Sequence, residues 1–161
     1  MTNANLPAKP IVQHAADAER IPFSPTNDFR PIFAGAPGLP DFFEERAARG
    51  DGPPLHRHPW AAWELVVEGT IRAVIAEQEF RLGPSDSVYV PPGAPHAYIV
   101  ESDHARVVGV NLSDGRFPSL QRQAAPLMTA PGGPDMQRIM DLAKAHGVEV
   151  LGPPLASGVE R

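Results

Sequence analysis

His56 and His58 stand one residue apart in the stretch GPPLHRHPWAAWELVVEG, Gly52 to Gly69, and His96 follows the turn Pro91-Pro92-Gly93-Ala94-Pro95. Imidazole nitrogen binds a divalent ion at about 2.0–2.1 Å. In a strand, residues i and i+2 point to one face, so an extended chain presents His56 and His58 side by side and turns Arg57 away. Two ligands do not hold an ion. A third must come from a strand distant in sequence, and His96, where a sharp turn delivers the chain into a new strand, is the candidate. An H-x-H pair alone reads equally as a surface pair beside a turn. Coupled to a later P-x-G-x-x-H, it is far more specific. The chain has no cysteine, so thiolate zinc sites, Fe–S clusters and disulfides are excluded. Any ion takes histidine, carboxylate or water. Imidazole discriminates poorly among Fe, Ni, Cu, Mn and Zn, so the pattern predicts a divalent ion without naming it.

The elements that must carry these residues are short strands. Twenty prolines and fourteen glycines are spread along the chain and punctuate short apolar runs, the look of an all-β domain with many turns. β-like pieces cover residues 11–14, 20–23, 29–34 and 41–48. The stretch 56–68 reads as one strand interrupted by Pro59. Further strands cover 70–77, 78–82, 87–91, 96–101 and 105–112, with turn signals at Gly83, Pro91 and Glu101. This spacing predicts a sandwich or barrel. The period then changes. Met136, Ile139, Met140 and Ala143 fall at i, i+3, i+4 and i+7, which predicts a helix over residues 135–146 that packs on the barrel or on a partner subunit, with its methionines read as core. Pro134 and Asp135 suit its first turn and Gly147 its end. A short strand over 148–151 follows.

Length and charge bound the rest. The 161 residues are enough for one domain with a core. A net charge of −5 argues against a binder of nucleic-acid backbone. No apolar run reaches the roughly 18 residues of a membrane span, and MTNANLPAKP lacks an apolar signal core, so a cytoplasmic protein is expected.

At this point the chain resembles the cupin superfamily. The first motif of that family, G-x5-H-x-H-x3-4-E-x6-G, is matched by Gly50, His56, His58 and Gly69. The second, G-x5-P-x-G-x2-H-x3-N, is matched by Pro91, Gly93 and His96. LGPSDSVYVPPGAPHAY, Leu82 to Tyr98, is similar to a second cupin motif throughout. MDLAKAHGVEVLGPPL resembles a tail of small bacterial cupins labelled quercetin-dioxygenase-like. The resemblance implies a double-stranded β-helix, or jelly roll, with the metal inside the barrel. The chain is expected to divide into an N-terminal arm (1–10), a β-barrel (11–133) and a C-terminal helix and tail (134–161), and the resemblance covers roughly residues 10–155. It also implies a homodimer.

The departures bear on function. Where the family has Glu, this chain has Ala62; Ser85 replaces the inter-motif Gly, and Val100 the Asn. Glu64 shares strand parity with position 62. It reads as a displaced fourth ligand, as an acid beside the site, or as a partly solvated glutamate at the barrel mouth. Tyr98, two residues past His96, shares its inward face and either donates to a bound ligand or fills the core. Trp60 and Trp63 read as an aromatic wall or as packing, and Phe42 and Phe43 as packing. His14, His104 and His146 are expected to bind no metal. The resulting expectation is a metal-dependent dioxygenase acting on a small enol or phenolic molecule, with Glu64 or Tyr98 moving protons. The alternatives are a non-catalytic small-molecule or metal-binding module, and a non-redox isomerase, lyase or cyclase.

Overall fold

The computed structural model describes residues 9–33 and 38–158; most of the expected N-terminal arm lies outside them. Two antiparallel sheets face each other. The first holds six strands in the order β1 (Ile21–Pro22), β2 (Asp28–Phe33), β3 (Asp41–Ala48), β10 (His104–Asn111), β5 (Ala62–Glu68), β8 (Ser87–Val90). The second holds five, β11 (Glu149–Pro154), β4 (Pro54–Arg57), β9 (His96–Val100), β6 (Ile71–Ile75), β7 (Gln78–Leu82). Two helices, α1 (Arg116–Met128) and α2 (Met136–Ala145), precede β11. This is a jelly roll with two helices near its C-terminus. No helix among the described residues is long and apolar enough to cross a membrane.

Alternation builds the core. HARVVGVN in β10 buries every second residue, as does IRAVI in β6. Ala47, Val66, Ile71, Ala73, Tyr98, Val100, Ala105 and Val107 meet between the sheets. Gly109 is required there: a Cβ at that position would run into the Phe43 ring, which lies over it. Ser85 has φ 72°, a left-handed conformation that explains why the cupin motif prefers glycine at that point.

The stretch 56–68 is two strands, not one. β4 belongs to the five-stranded sheet and β5 to the six-stranded sheet, and the chain crosses between them through His58-Pro59-Trp60-Ala61. Pro59 lacks the N–H that a continuous ladder would need. Residues 11–14 form no strand; Ile11 and Val12 are exposed, and a 3-10 turn, Ala15–Asp17, follows.

Helix α1 is additional to the single helix read from the sequence. Pro118 and Pro126 disguise it. The first sits in the first turn, where N–H groups lack helical partners anyway; the second, in the last turn, forfeits one bond. The Ser113 hydroxyl accepts from the Phe117 N–H and itself donates to the buried Asp41 carboxylate, so the start of β3 anchors the start of α1.

α2 has the expected cap, with Asp135 accepting from the Arg138 N–H and Gly147 left-handed past its end. Its packed face differs from the expectation. Met136 and Met140 are exposed, while Ala143 is buried and Leu142 packs beside it against Trp60, Leu120, Ala124 and Val148. The helix is turned so that Leu142 and Ala143, rather than the two methionines, meet α1.

Candidate metal centre

The three histidines converge. One ring nitrogen from each of His56, His58 and His96 lies within 4.8 Å of the others. His56 lies near the end of β4 and is paired in register with His96 at the start of β9, which places their ring centroids 4.1 Å apart. His58 lies just past β4 in the crossing segment, its ring 4.7 Å from that of His96. The turn before β9 holds this segment in place, because the Gly93 N–H donates to the His58 carbonyl at 2.7 Å.

Each imidazole is oriented by the same device. Nδ1 of His56 bonds the Pro54 carbonyl (2.8 Å), that of His58 the Trp60 carbonyl (2.9 Å), and that of His96 the Ala94 carbonyl (2.9 Å). A carbonyl only accepts, so each Nδ1 carries the proton and each Nε2 keeps its lone pair. Hydrogen bonds of this kind fix tautomer and ring direction in metal-ligating histidines. Burial, reinforced by the nearby His96 ring, pushes His56 down to about 3 and His58 to about 4; burial also lowers His96. All three are therefore neutral near pH 7, the form that ligates. These residues fit a divalent ion, and among the described residues no carboxylate joins the cluster.

The acid of the first motif is replaced by a buried alanine, and Glu64 sits one inward position deeper on β5, between Ala62 and Val66. Burial and then the charge of Glu45 push Glu64 up to about 7. Glu45 is a residue that sequence reasoning passed over, seen only as a polar interruption of its strand. It points inward between Phe43 and Ala47 on β3. Burial raises it, opposed by Tyr98 and by Asn27, whose Nδ2 donates to Oε1 at 3.3 Å. The strand parity of Glu45 with Phe43 and Ala47 was the available signal. Tyr98 shares the inward face of His96 one step deeper. Its hydroxyl is buried close to Glu45 without a well-formed hydrogen bond.

The two tryptophans part company. Trp60 is buried, and its indole lies flat against His58 with centroids 4.4 Å apart. The Arg116 guanidinium covers its other face at 5.0 Å. Trp63 points outward, exposed, with its ring tilted against that of Tyr89 at 5.0 Å between centroids. Phe43 is buried with Phe29 and Phe117. The remaining histidines lie apart from the cluster. His14 is exposed, His104 bonds Glu68 at 2.8 Å, and His146 caps α2, its Nδ1 against the Leu142 carbonyl.

Residues 43–111, from β3 through β10 and including all three histidines, match the family described as "Cupin domain". That stretch is similar to a cupin domain. The cupin fold is shared with solved structures of low sequence identity. The polyketide cyclase RemF from Streptomyces resistomycificus is 18% identical, with a TM-score of 0.54 over 64% of this chain and 79% of that one. KdgF from Halomonas sp. is 15% identical, with a TM-score of 0.57 over 64% and 93%. Rru_A2000 from Rhodospirillum rubrum, a cupin-2 domain, is 17% identical, with a TM-score of 0.52 over 66% and 76%. At these identities the likeness is one of fold. No curated protein matches the sequence.

Proposed function

We propose that this cupin is a metal-dependent enzyme acting on a small organic molecule at His56, His58 and His96, and that with a redox-active ion it is a dioxygenase of an enol or phenolic substrate. The observation that carries the reading is the set of three Nδ1–carbonyl bonds, which aim three neutral nitrogens at one point. An ion held by three protein ligands keeps positions open, supplying Lewis acidity and, for a redox metal, access to O₂. The chain's own residues do the rest. Trp60 closes one side of the cluster against water, and Glu64, Glu45 and Tyr98 lie deeper in the barrel where a proton can be held or passed.

A non-redox reading, isomerisation, elimination or cyclisation, has one observation in its favour. Glu64 is poised near 7, suited to acid–base chemistry that needs no O₂. Oxygen uptake by Fe-, Ni-, Cu- or Mn-loaded protein against a panel of enols and catechols tests the dioxygenase. Equal turnover under nitrogen by the zinc protein favours the non-redox reading, and ligand binding without turnover the binding module.

The homodimer expected from the resemblance also stands as a proposal. Phe42, Val110, Trp63 and Tyr89 lie opposite one another across β3, β10, β5 and β8 on the outer sheet face, with Trp63 and Tyr89 exposed. A second copy of the chain would cover this apolar row.

A further inference from the structure

A serine and a histidine meet outside the barrel, between the two helices. Arg116, Ser119 and Gln123 stand at i, i+3 and i+7 on one face of α1. Ser119 and Gln123 reach the C-terminal end of α2, where the His146 Nδ1 bonds the Leu142 carbonyl at 2.9 Å. A carbonyl only accepts, so Nδ1 carries the proton and the neutral ring offers a bare Nε2. The Ser119 hydroxyl lies 3.3 Å from that nitrogen and can donate to it. A helical serine ordinarily returns its hydroxyl to the carbonyl one turn back; this one meets an imidazole. Gln123 Nε2 lies 3.1 Å from the Ser119 Oγ and 3.2 Å from the His146 Nε2. The Arg116 guanidinium is held over Trp60, and a Cβ on Gly147 would meet its Nη1 at 3.4 Å, so a fixed cation borders the residue that follows His146. Ser119 and His146 are half-buried and Gln123 is exposed, so a small molecule can reach them. An open cleft of about 480 Å³ adjoins, lined by Gln123, Leu127, Arg138, Asp141 and Leu142.

We propose that Ser119 and His146 form a second reactive centre, a metal-independent acyl-transfer site for esters with an apolar acyl chain. Nucleophile, base and a group that orients the base are all present, with the Leu142 carbonyl in the place a carboxylate often takes. The Ser119 oxygen attacks the ester carbonyl, and its proton passes to the His146 Nε2. The carbon–oxygen bond to the alcohol breaks, and the alcohol leaves with that proton. Water then attacks the acyl-serine and gives its proton to His146. The acid departs as Ser119 takes that proton back. Gln123 supplies a donor beside the nucleophile, and Arg116 a cation one helical turn away, for the oxyanion. Leu127 and Leu142 give the acyl chain an apolar wall. No step uses His56, His58 or His96, so this centre stands or falls apart from the metal-dependent function.

The test mixes full-length protein, with and without EDTA, with p-nitrophenyl butyrate. Absorbance follows the p-nitrophenolate released, and peptide mass spectrometry locates the butyryl group. The wild type should release p-nitrophenolate equally in both conditions and carry the butyryl group on Ser119. Ser119→Ala, a substitution that suits a helix, should lose both. His146→Ala keeps the serine and should slow acylation about a hundredfold. Because His146 also ends α2, His146→Asn repeats the measurement should the alanine variant fail to fold. No butyryl group on Ser119, acylation as fast in a folded His146 variant as in the wild type, or release that stops with EDTA overturns the proposal. So does release that survives Ser119→Ala and ends with the loss of His146, which would make the imidazole itself the nucleophile.

Discussion

The Trp60 indole lies parallel to the His58 imidazole, 6° between planes and 4.4 Å between centroids, while the backbone carbonyl of the same tryptophan accepts the His58 Nδ1 proton. One residue thus fixes both the tilt and the tautomer of a candidate metal ligand. Arg116 at the head of α1 covers the far face of the indole, and its Nε donates to the Ser113 carbonyl at 2.9 Å. Trp60→Leu keeps the carbonyl and removes the stack, so it should weaken metal binding about tenfold, the low end for loss of a group that orients a ligand. Titration calorimetry with Ni(II) reads this directly. In a Trp63→Phe background, Trp60 is the sole tryptophan and its fluorescence should be quenched as Cu(II) enters.

The ligands should bind metal without releasing protons. With His56 near 3 and His58 near 4, the site is already deprotonated at pH 7. Calorimetry in two buffers of different ionisation enthalpy should give the same binding enthalpy at pH 7. Proton competition should begin only as the pH falls toward 4. A buffer-dependent enthalpy at pH 7 would show that one imidazole is protonated in the free protein.

The sign is opposite for Glu64. Its folded value lies above the ordinary carboxylate range, so the folded state holds a proton that the unfolded state has lost. Stability from this source is present below pH 4.5 and is lost as pH rises through 7. The lowered histidines contribute stability above pH 6.5 that is lost as pH falls through 4. Relative to Glu64→Gln, which cannot titrate, the metal-free wild type should therefore lose stability between pH 5 and 8, by up to about 3 kcal/mol. Urea denaturation of both proteins across that range gives the difference.

Gly109→Ala should destabilise the protein by about 2 kcal/mol through overpacking against Phe43, with Phe43→Leu in the same chain restoring part of the loss. Thermal unfolding of the three variants checks the pairing.

The proposed dimer makes its own demand. Trp63→Glu with Tyr89→Glu places charge in the middle of the outer apolar row and should shift the protein from dimer to monomer in sedimentation velocity, with metal content unchanged. A wild type that sediments as a monomer at all concentrations contradicts it.

The sequence made the strands and the three histidines readable because both rest on local rules: period-two burial in β6 and β10, and turn chemistry before His96. What it hid depends on distant packing. The prolines of α1 mask a helix held by Asp41 through Ser113. The methionine face of α2 is regular in sequence, yet only its Ala143 is buried, and Leu142 packs beside it in place of the two methionines. The role of Trp60 follows from a crossing between sheets that reads, residue by residue, as one strand with a proline in it. Glu45 became visible only when β3 and β5 were seen to flank β10 and face the same interior.

The central claim is that three histidines hold one ion. Elemental analysis of untagged wild type, His96→Ala and Glu64→Ala, purified without added metal and again after reconstitution, tests it most directly. The account predicts near one divalent ion per chain in the wild type and in Glu64→Ala, and none in His96→Ala. A wild type that takes up no ion after reconstitution, or a His96→Ala protein that keeps it, would contradict the account.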